Sequence, residues 1–356
     1  MADARIKKLA GILVNFSVKV KRGDVVAINA STELAKPLVL EVYKAVLLAK
    51  AHPIVNIGLE ETNAIFYDLA EKSQLKHFPK IKHYEAKNID CVISIAAPRN
   101  KKSLAGTDPK KIAERSKVTS PIRDLIVTKK RWVICNFPTE ALAQEGDMSL
   151  AEYEDFLYGA TNIDWNKAKD MGNRIKKVLD KGKVVRIVGK DTDLTMGITG
   201  RKGIPCTGNY NMPDGETFLS PLEDTAEGHI FYEMPAIYQG REVTGIRLTF
   251  KKGKVIEASA DKNEDFLLTM LDTDKGARYL GELGVAFNYG IKKFTSDILF
   301  DEKIGGTVHL ALGKSYEEAG GKNKSAIHWD MIKDLRKGGT LFVDGKAVQK
   351  NGKFLI

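Results

Sequence analysis

The chain has 356 residues, 43% of them hydrophobic and 29% charged, with a net charge of +10. That length suits two domains better than one core, and the composition excludes a disordered or fibrous chain. Its lysines are spread out and often matched by acids, as in Lys110-Lys111-Ile112-Ala113-Glu114. They form no stripe with aromatic platforms, so the charge reads as solvated surface and no nucleic-acid partner is expected.

In chain order, residues 4–16 predict an amphipathic helix. Arg5, Lys7 and Lys8 precede only a short apolar run there, with no small-residue cleavage site, so no signal peptide is expected. No stretch has the length of a membrane span, and no membrane partner is expected. Apolar runs at 25–30, 54–57, 91–96 and 132–136 alternate with helices predicted at about 35–50, at 63–71 and before residue 132. Continuous apolar runs separated by helices are the pattern of parallel strands buried on both faces. The first half therefore predicts a Rossmann-like α/β layer. It lacks a dinucleotide site, because no G-x-G-x-x-G follows the first strand and Gly23-Asp24 stands before it. From about Ser149 two further helices run to Lys181-Gly182. Short strand-like segments with turn signals follow, broken by one helix expected around 264–283, which reads as an α+β domain with a largely antiparallel sheet. The expected domains are residues 1–165 and 166–356. Cys91, Cys135 and Cys206 are scattered and odd in number, which predicts free thiols and a cytoplasmic location.

Of six histidines, His52, His77, His83 and His229 fall in loop-like or helix-end contexts with no partner at a useful spacing, and read as structural or solvated. His309 lies in a strand-like run where Val308, Leu310 and Leu312 share the opposite face. His328 and Asp330 project to one side of an extended segment, so an imidazole and a carboxylate can reach one metal-centred pocket. Taken alone, a His-x-Asp pair is more often a surface or hydrogen-bonded pair. The loop Gly313–Gly321 could carry Tyr316 over such a site. Glu216 emerges from a Pro213-Asp214-Gly215 turn, and Glu282 stands between two glycines at an expected helix end. Each of these acids, taken singly, reads as solvated.

Together, Gly208-Asn209-Tyr210-Asn211-Met212-Pro213-Asp214-Gly215-Glu216, Gly281-Glu282-Leu283-Gly284, the run from His309 to Tyr316 and the run from Ser325 to Met331 resemble the aminopeptidase T family of metallopeptidases. That group includes aminopeptidases S and II. The resemblance covers essentially the whole chain, since Arg22-Gly23-Asp24-Val25-Val26 and Pro138-Thr139-Glu140-Ala141 also match. It implies metal ligands at Glu216, Glu282, His309, His328 and Asp330 and a catalytic tyrosine at Tyr316. Glu216 or Glu282 could also move a proton. It further implies two divalent ions (zinc, cobalt or manganese) that activate water, peptide substrates with a free N-terminus, and a homodimer. The departure from the family pattern is a shorter loop between Tyr316 and His328, which bears on the lid over the site.

Overall fold

The computed structural model describes residues 3–356 and divides them into two units. The first holds the chain up to Asn162 together with Gly208–Pro213, and the second holds Ile163–Thr207 and Asp214–Ile356.

In the first unit α1 (Ala4–Gly11) is capped by the Asp3 carboxylate, which accepts the Arg5 N–H at 2.8 Å, and widens into a π-helical stretch over Ile12–Ser17. Then follow β1 (Val25–Ala30), α2 (Lys36–Leu48), β2 (His52–Ile57), α3 (Glu61–Leu69), α4 (Lys72–Leu75), α5 (Lys80–Asn88), β3 (Cys91–Ala96), α6 (Pro109–Lys129), β4 (Arg131–Asn136), α7 (Glu140–Glu145) and α8 (Leu150–Thr161). The four strands pair in parallel in the order β2-β1-β3-β4, and the two-residue strand Asn211–Met212 joins beyond β4. The parallel α/β layer expected from the apolar runs is therefore present. One sheet face is dry: Val26, Ile28, Cys91, Ile93, Ile95, Val133 and Cys135 are at most 1% exposed. Leu9 and Leu13 near the N-terminus and Leu38, Val42 and Val46 of α2 are fully buried in the same unit. The other face carries a smaller apolar cluster of Ala27, Ile89 and Val92 with Val25, Ile126 and Trp132 around it.

The second unit opens with α9 (Trp165–Leu179), whose first turn is capped by Asp164. Its two main sheets have eight and five strands. All pairings in them are antiparallel, as the turn-punctuated sequence predicted. The five-stranded sheet runs His328–Asp334, Thr307–Gly313, Leu280–Ala286, Glu216–Leu219, Ile204–Cys206. One expectation fails here. The helix predicted over 264–283 stops at Leu271 (α10, Glu264–Leu271), and Leu280–Ala286 is a strand with every residue buried. The Asp274 carboxylate accepts the N–H groups of Gly276 and Ala326 and the Ser325 hydroxyl proton, which makes a turn where a helix would have continued. His52 opens β2, His83 lies inside α5 and His229 lies within the strand Glu227–Tyr232, so these three are not loop residues. All three cysteines are free thiols. No helix among the described residues is long and apolar enough to cross a membrane.

Candidate metal centre

Four neighbouring strands of the five-stranded sheet each bring a donor to one face. In the pairing register Glu282 sits opposite Ala311 and Ala311 opposite Asp330, while His309 faces Gly284, His328 faces Gly313 and Glu216 faces Ala286. Acids and imidazoles thus alternate with Gly and Ala on this face, and the small residues leave a hollow between the donors. On the opposite face Leu283, Val285, Val308, Leu310, Leu312 and Met331 are all 0% exposed and form core. Register is strongly specified when one face is this apolar, because a one-residue slip would turn the acids and imidazoles into the apolar core and the leucines into the polar hollow.

The glycines of the Glu282 strand are contact residues rather than helix stops. A Cβ built on Gly284 would lie 2.0 Å from His309 Cε1, and one on Gly281 would lie 2.3 Å from the Lys314 carbonyl oxygen. The His309 ring therefore lies directly over its neighbour strand. Both imidazoles are anchored through Nδ1: His309 to the carbonyl of Glu302 at 2.9 Å and His328 to that of Lys314 at 2.7 Å. A carbonyl only accepts, so each Nδ1 carries a proton and each Nε2 points into the hollow.

There His309 Nε2 lies 3.0 Å from Glu216 Oε2 and 3.3 Å from Glu282 Oε1. His328 Nε2 lies 3.6 Å from both Glu282 Oε2 and Asp330 Oδ2. All five sequence-predicted ligands therefore converge. Buried Asp330 Oδ1 has no hydrogen-bond donor, and buried Glu216 Oε2 has only the His309 ring nitrogen at 3.0 Å. Against the cost of burial, the surrounding acids raise both imidazoles, so without metal a proton on Nε2 faces the carboxylates, and a divalent cation would take that proton's place. The donor set fits divalent metal. Glu216, Glu282 and His309 offer three ligand atoms within 4.8 Å of one another, and Glu302, His309 and Asp330 offer a second such group.

Burial sets the electrostatics of the metal-free protein. It raises Glu282 and Asp330 above the usual carboxylate range and pushes Glu302 up to about 7, because charged acids there are poorly solvated and repel each other. Burial acts the same way on Glu216, but Lys303 and His309 outweigh it and hold that acid at about 2. Lys303 is fully buried, ion-paired with Glu302 and 3.6 Å from Glu216 Oε1. Tyr316 lies in the loop after the His309 strand, its ring edge-on to His328 with centroids 5.0 Å apart and 36% of the residue exposed. Burial and the nearby carboxylates raise its phenol, which stays protonated.

Three members of this neighbourhood escaped the sequence reading as ligands. Glu302 supplies both a candidate ligand and the carbonyl that orients His309. Its only sequence signal was an Asp-Glu-Lys triplet shortly before the His309 strand, which reads as solvated charge. Cys206 and Asp214 form a further group with Glu216, and burial keeps the Cys206 thiol protonated.

Comparison with known proteins agrees with this chemistry. Aminopeptidase 2 of Geobacillus stearothermophilus is 28% identical over 99% of this chain and 95% of its own length. Aminopeptidase T of Thermus aquaticus is 32% identical over 40% of this chain and 41% of its own. The solved structure of wild-type AmpT from Thermus thermophilus has the same fold, with a TM-score of 0.85 at 22% identity over 99% of both chains. The family described as thermophilic metalloproteases (M29) matches residues 2–354, and the chain belongs to it.

Proposed function

We propose that this chain is an aminopeptidase that removes the N-terminal residue from peptides with a free amino end. Two divalent ions would be held by Glu216, Glu282, His309, His328 and Asp330. The observation that carries the reading is the convergence of three carboxylates and two imidazoles, each imidazole anchored through Nδ1, on one hollow where Asp330 Oδ1 is buried without a donor. Three carboxylates and two imidazoles accept zinc, cobalt or manganese. Such ions supply Lewis acidity and lower the pKa of water from about 15.7 to about 7.

The chain's own residues do the rest. The Glu302 and Lys314 carbonyls fix the imidazole tautomers and ring planes. Lys303 holds the Glu216 carboxylate in place. Tyr316, at the rim and protonated, is suited to donate to the oxyanion that develops on the scissile carbonyl, an effect worth about 3–4 kcal/mol when one such donor is lost. Glu216 or Glu282 can take the proton released by water and pass it to the leaving amine. A homodimer in the cytoplasm is the setting we propose with this activity, and three free thiols accord with a reducing compartment.

Metal analysis of the purified protein, with hydrolysis of an aminoacyl fluorogenic amide before and after chelation, tests the proposal. Chelation should abolish hydrolysis, and added zinc, cobalt or manganese should restore it. Full activity after verified metal removal would overturn it.

A further inference from the structure

The two faces of the first unit's parallel sheet differ, and the difference points to a second binding site. Parallel strands normally bury apolar side chains on both faces. Here one face is dry, while the other turns polar along the carboxyl half of its strands, with Asn29 on β1, Asn56 on β2 and Ser94 on β3. The helices over this face do not seal it: neither α3 nor the 21-residue α6 has a buried residue. Between them and the sheet lies a cavity of about 680 Å³. A neighbouring one of about 390 Å³ shares Asn29, Lys82, Ile122 and Ile126 with it.

The larger cavity is lined by Lys82, Arg115 and Arg123 and by no acid. Lys82 makes no ion pair among the described residues, and Arg123 has only its chain neighbour Asp124, at 3.7 Å. Arg115 donates to the carbonyls of Leu75 and His77 and sits over the Phe66 ring, 5.4 Å from its centroid, which braces that wall. Phe66, Ile122, Ile126 and Trp132 supply apolar and aromatic surface, and Asn29, Asn63 and Ser94 supply polar edges. The strand order β2-β1-β3 places Asn29 and Ser94 where the chain switches direction across the sheet, the general position of ligands in open α/β layers. The volume lies within the range of about 300–1,000 Å³ usual for small-molecule sites.

We propose that this cavity binds a small organic anion with a planar ring, of about mononucleotide size. The anionic group would pair with Lys82 and Arg123, and the ring would lie against Phe66 and Trp132. This site is separate from the metal centre and does not depend on the peptidase reading.

The test uses the metal-loaded full-length chain and calorimetric titration with AMP, indole-3-acetate, adenosine and inorganic phosphate. At least one of the two ring-bearing anions should bind once per chain, about tenfold or more tighter than adenosine or phosphate, because ring and charge must both engage. Lys82→Ala and Arg123→Ala should each weaken that binding about tenfold, and Ser94→Leu, which fills the floor, should remove it. All three variants should keep the wild-type circular dichroism spectrum and melting temperature, which shows that they fold. The proposal is overturned if neither ring-bearing anion saturates, or if Lys82→Ala and Arg123→Ala leave the affinity unchanged. It is also overturned if Ser94→Leu alters the mass by light scattering instead of the anion affinity, since a second copy of the chain would then occupy this face.

Discussion

Replacing Gly284 by Ala tests the hollow with a single methyl group. The new Cβ would lie 2.0 Å from His309 Cε1 and 2.1 Å from Nε2, so the ring must retreat by about 1.4 Å to reach ordinary contact at 3.4 Å. His309 is 0% exposed and tied through Nδ1 to the Glu302 carbonyl, which leaves the ring no rotamer that keeps its position. If the strand moves instead, Glu282 two residues away moves with it. Metal–ligand distances tolerate only about ±0.2 Å. Gly284→Ala should therefore weaken metal binding by at least the roughly 10–100-fold typical of losing a supporting contact. Overpacking should add a stability cost of about 1–3 kcal/mol. Titration with a competing chelator reads the affinity and thermal unfolding reads the stability. Gly106→Ala is the control, because a Cβ there meets nothing within 4 Å. A folded Gly284→Ala protein with wild-type metal content and affinity would refute the placement of His309 over this strand.

Asp330→Ala should lose metal and activity together, whereas Tyr316→Phe should keep its metal and its KM while kcat drops about 10²–10³-fold. Near-normal kcat in the Phe variant would remove Tyr316 from the mechanism and leave the metal site standing. N-acetylation of a good peptide substrate should abolish most turnover; comparable cleavage of blocked and free peptides would point to an endopeptidase. Because burial lifts Glu302 from 4.5 to about 7 in the metal-free protein, the folded state holds that proton more tightly than the unfolded chain does. Its contribution to stability is therefore full below about pH 4.5 and lost as pH rises through about 7, and metal affinity should climb over the same interval. Melting temperatures of metal-free and loaded protein between pH 4 and 8 check both slopes.

The strands β1, β3 and β4 were legible because each carries a nearly contiguous apolar run of Val, Ile and Ala or Cys, one face of it fully buried. The strand Leu280–Ala286 was not, although it is just as buried, because Gly281, Glu282 and Gly284 interrupt its apolar pattern for reasons that lie on other strands. Gly281 clears the Lys314 carbonyl and Gly284 clears the His309 ring, and no local rule carries that information. His328 and Asp330 were readable as a pair because a period of two is a property of one strand. Glu302 was not, since its partners are a histidine seven residues on and an aspartate on the strand beside that histidine's, and an Asp-Glu-Lys triplet has the composition of a surface. The carbonyls that orient both imidazoles have no sequence signature at all, because every residue has one.

Lys303 shows why the site and the stability of its unit are linked. It is a fully buried cation between two acids, 3.6 Å from Glu216 and paired with Glu302. At that separation one unit pair is worth about 4–5 kcal/mol of Coulomb energy for an effective dielectric constant of about 20. Without metal it sits against a cluster that includes the four carboxylates Glu216, Glu282, Glu302 and Asp330 of the two ligand groups. Lys303→Met keeps the volume and removes the charge. In the metal-free protein this breaks a buried pair, at a cost of about 3–5 kcal/mol, and the unit's melting temperature should fall on the order of ten degrees. With metal bound the same acids have divalent partners, and a lost positive charge no longer repels those ions. The loaded variant should therefore recover most of the lost stability and bind metal no more weakly than wild type. Calorimetric melting with and without saturating metal measures both states. A deficit that stays the same size after loading would mean that Lys303 supports packing alone, and that metal and lysine do not neutralise the same acids.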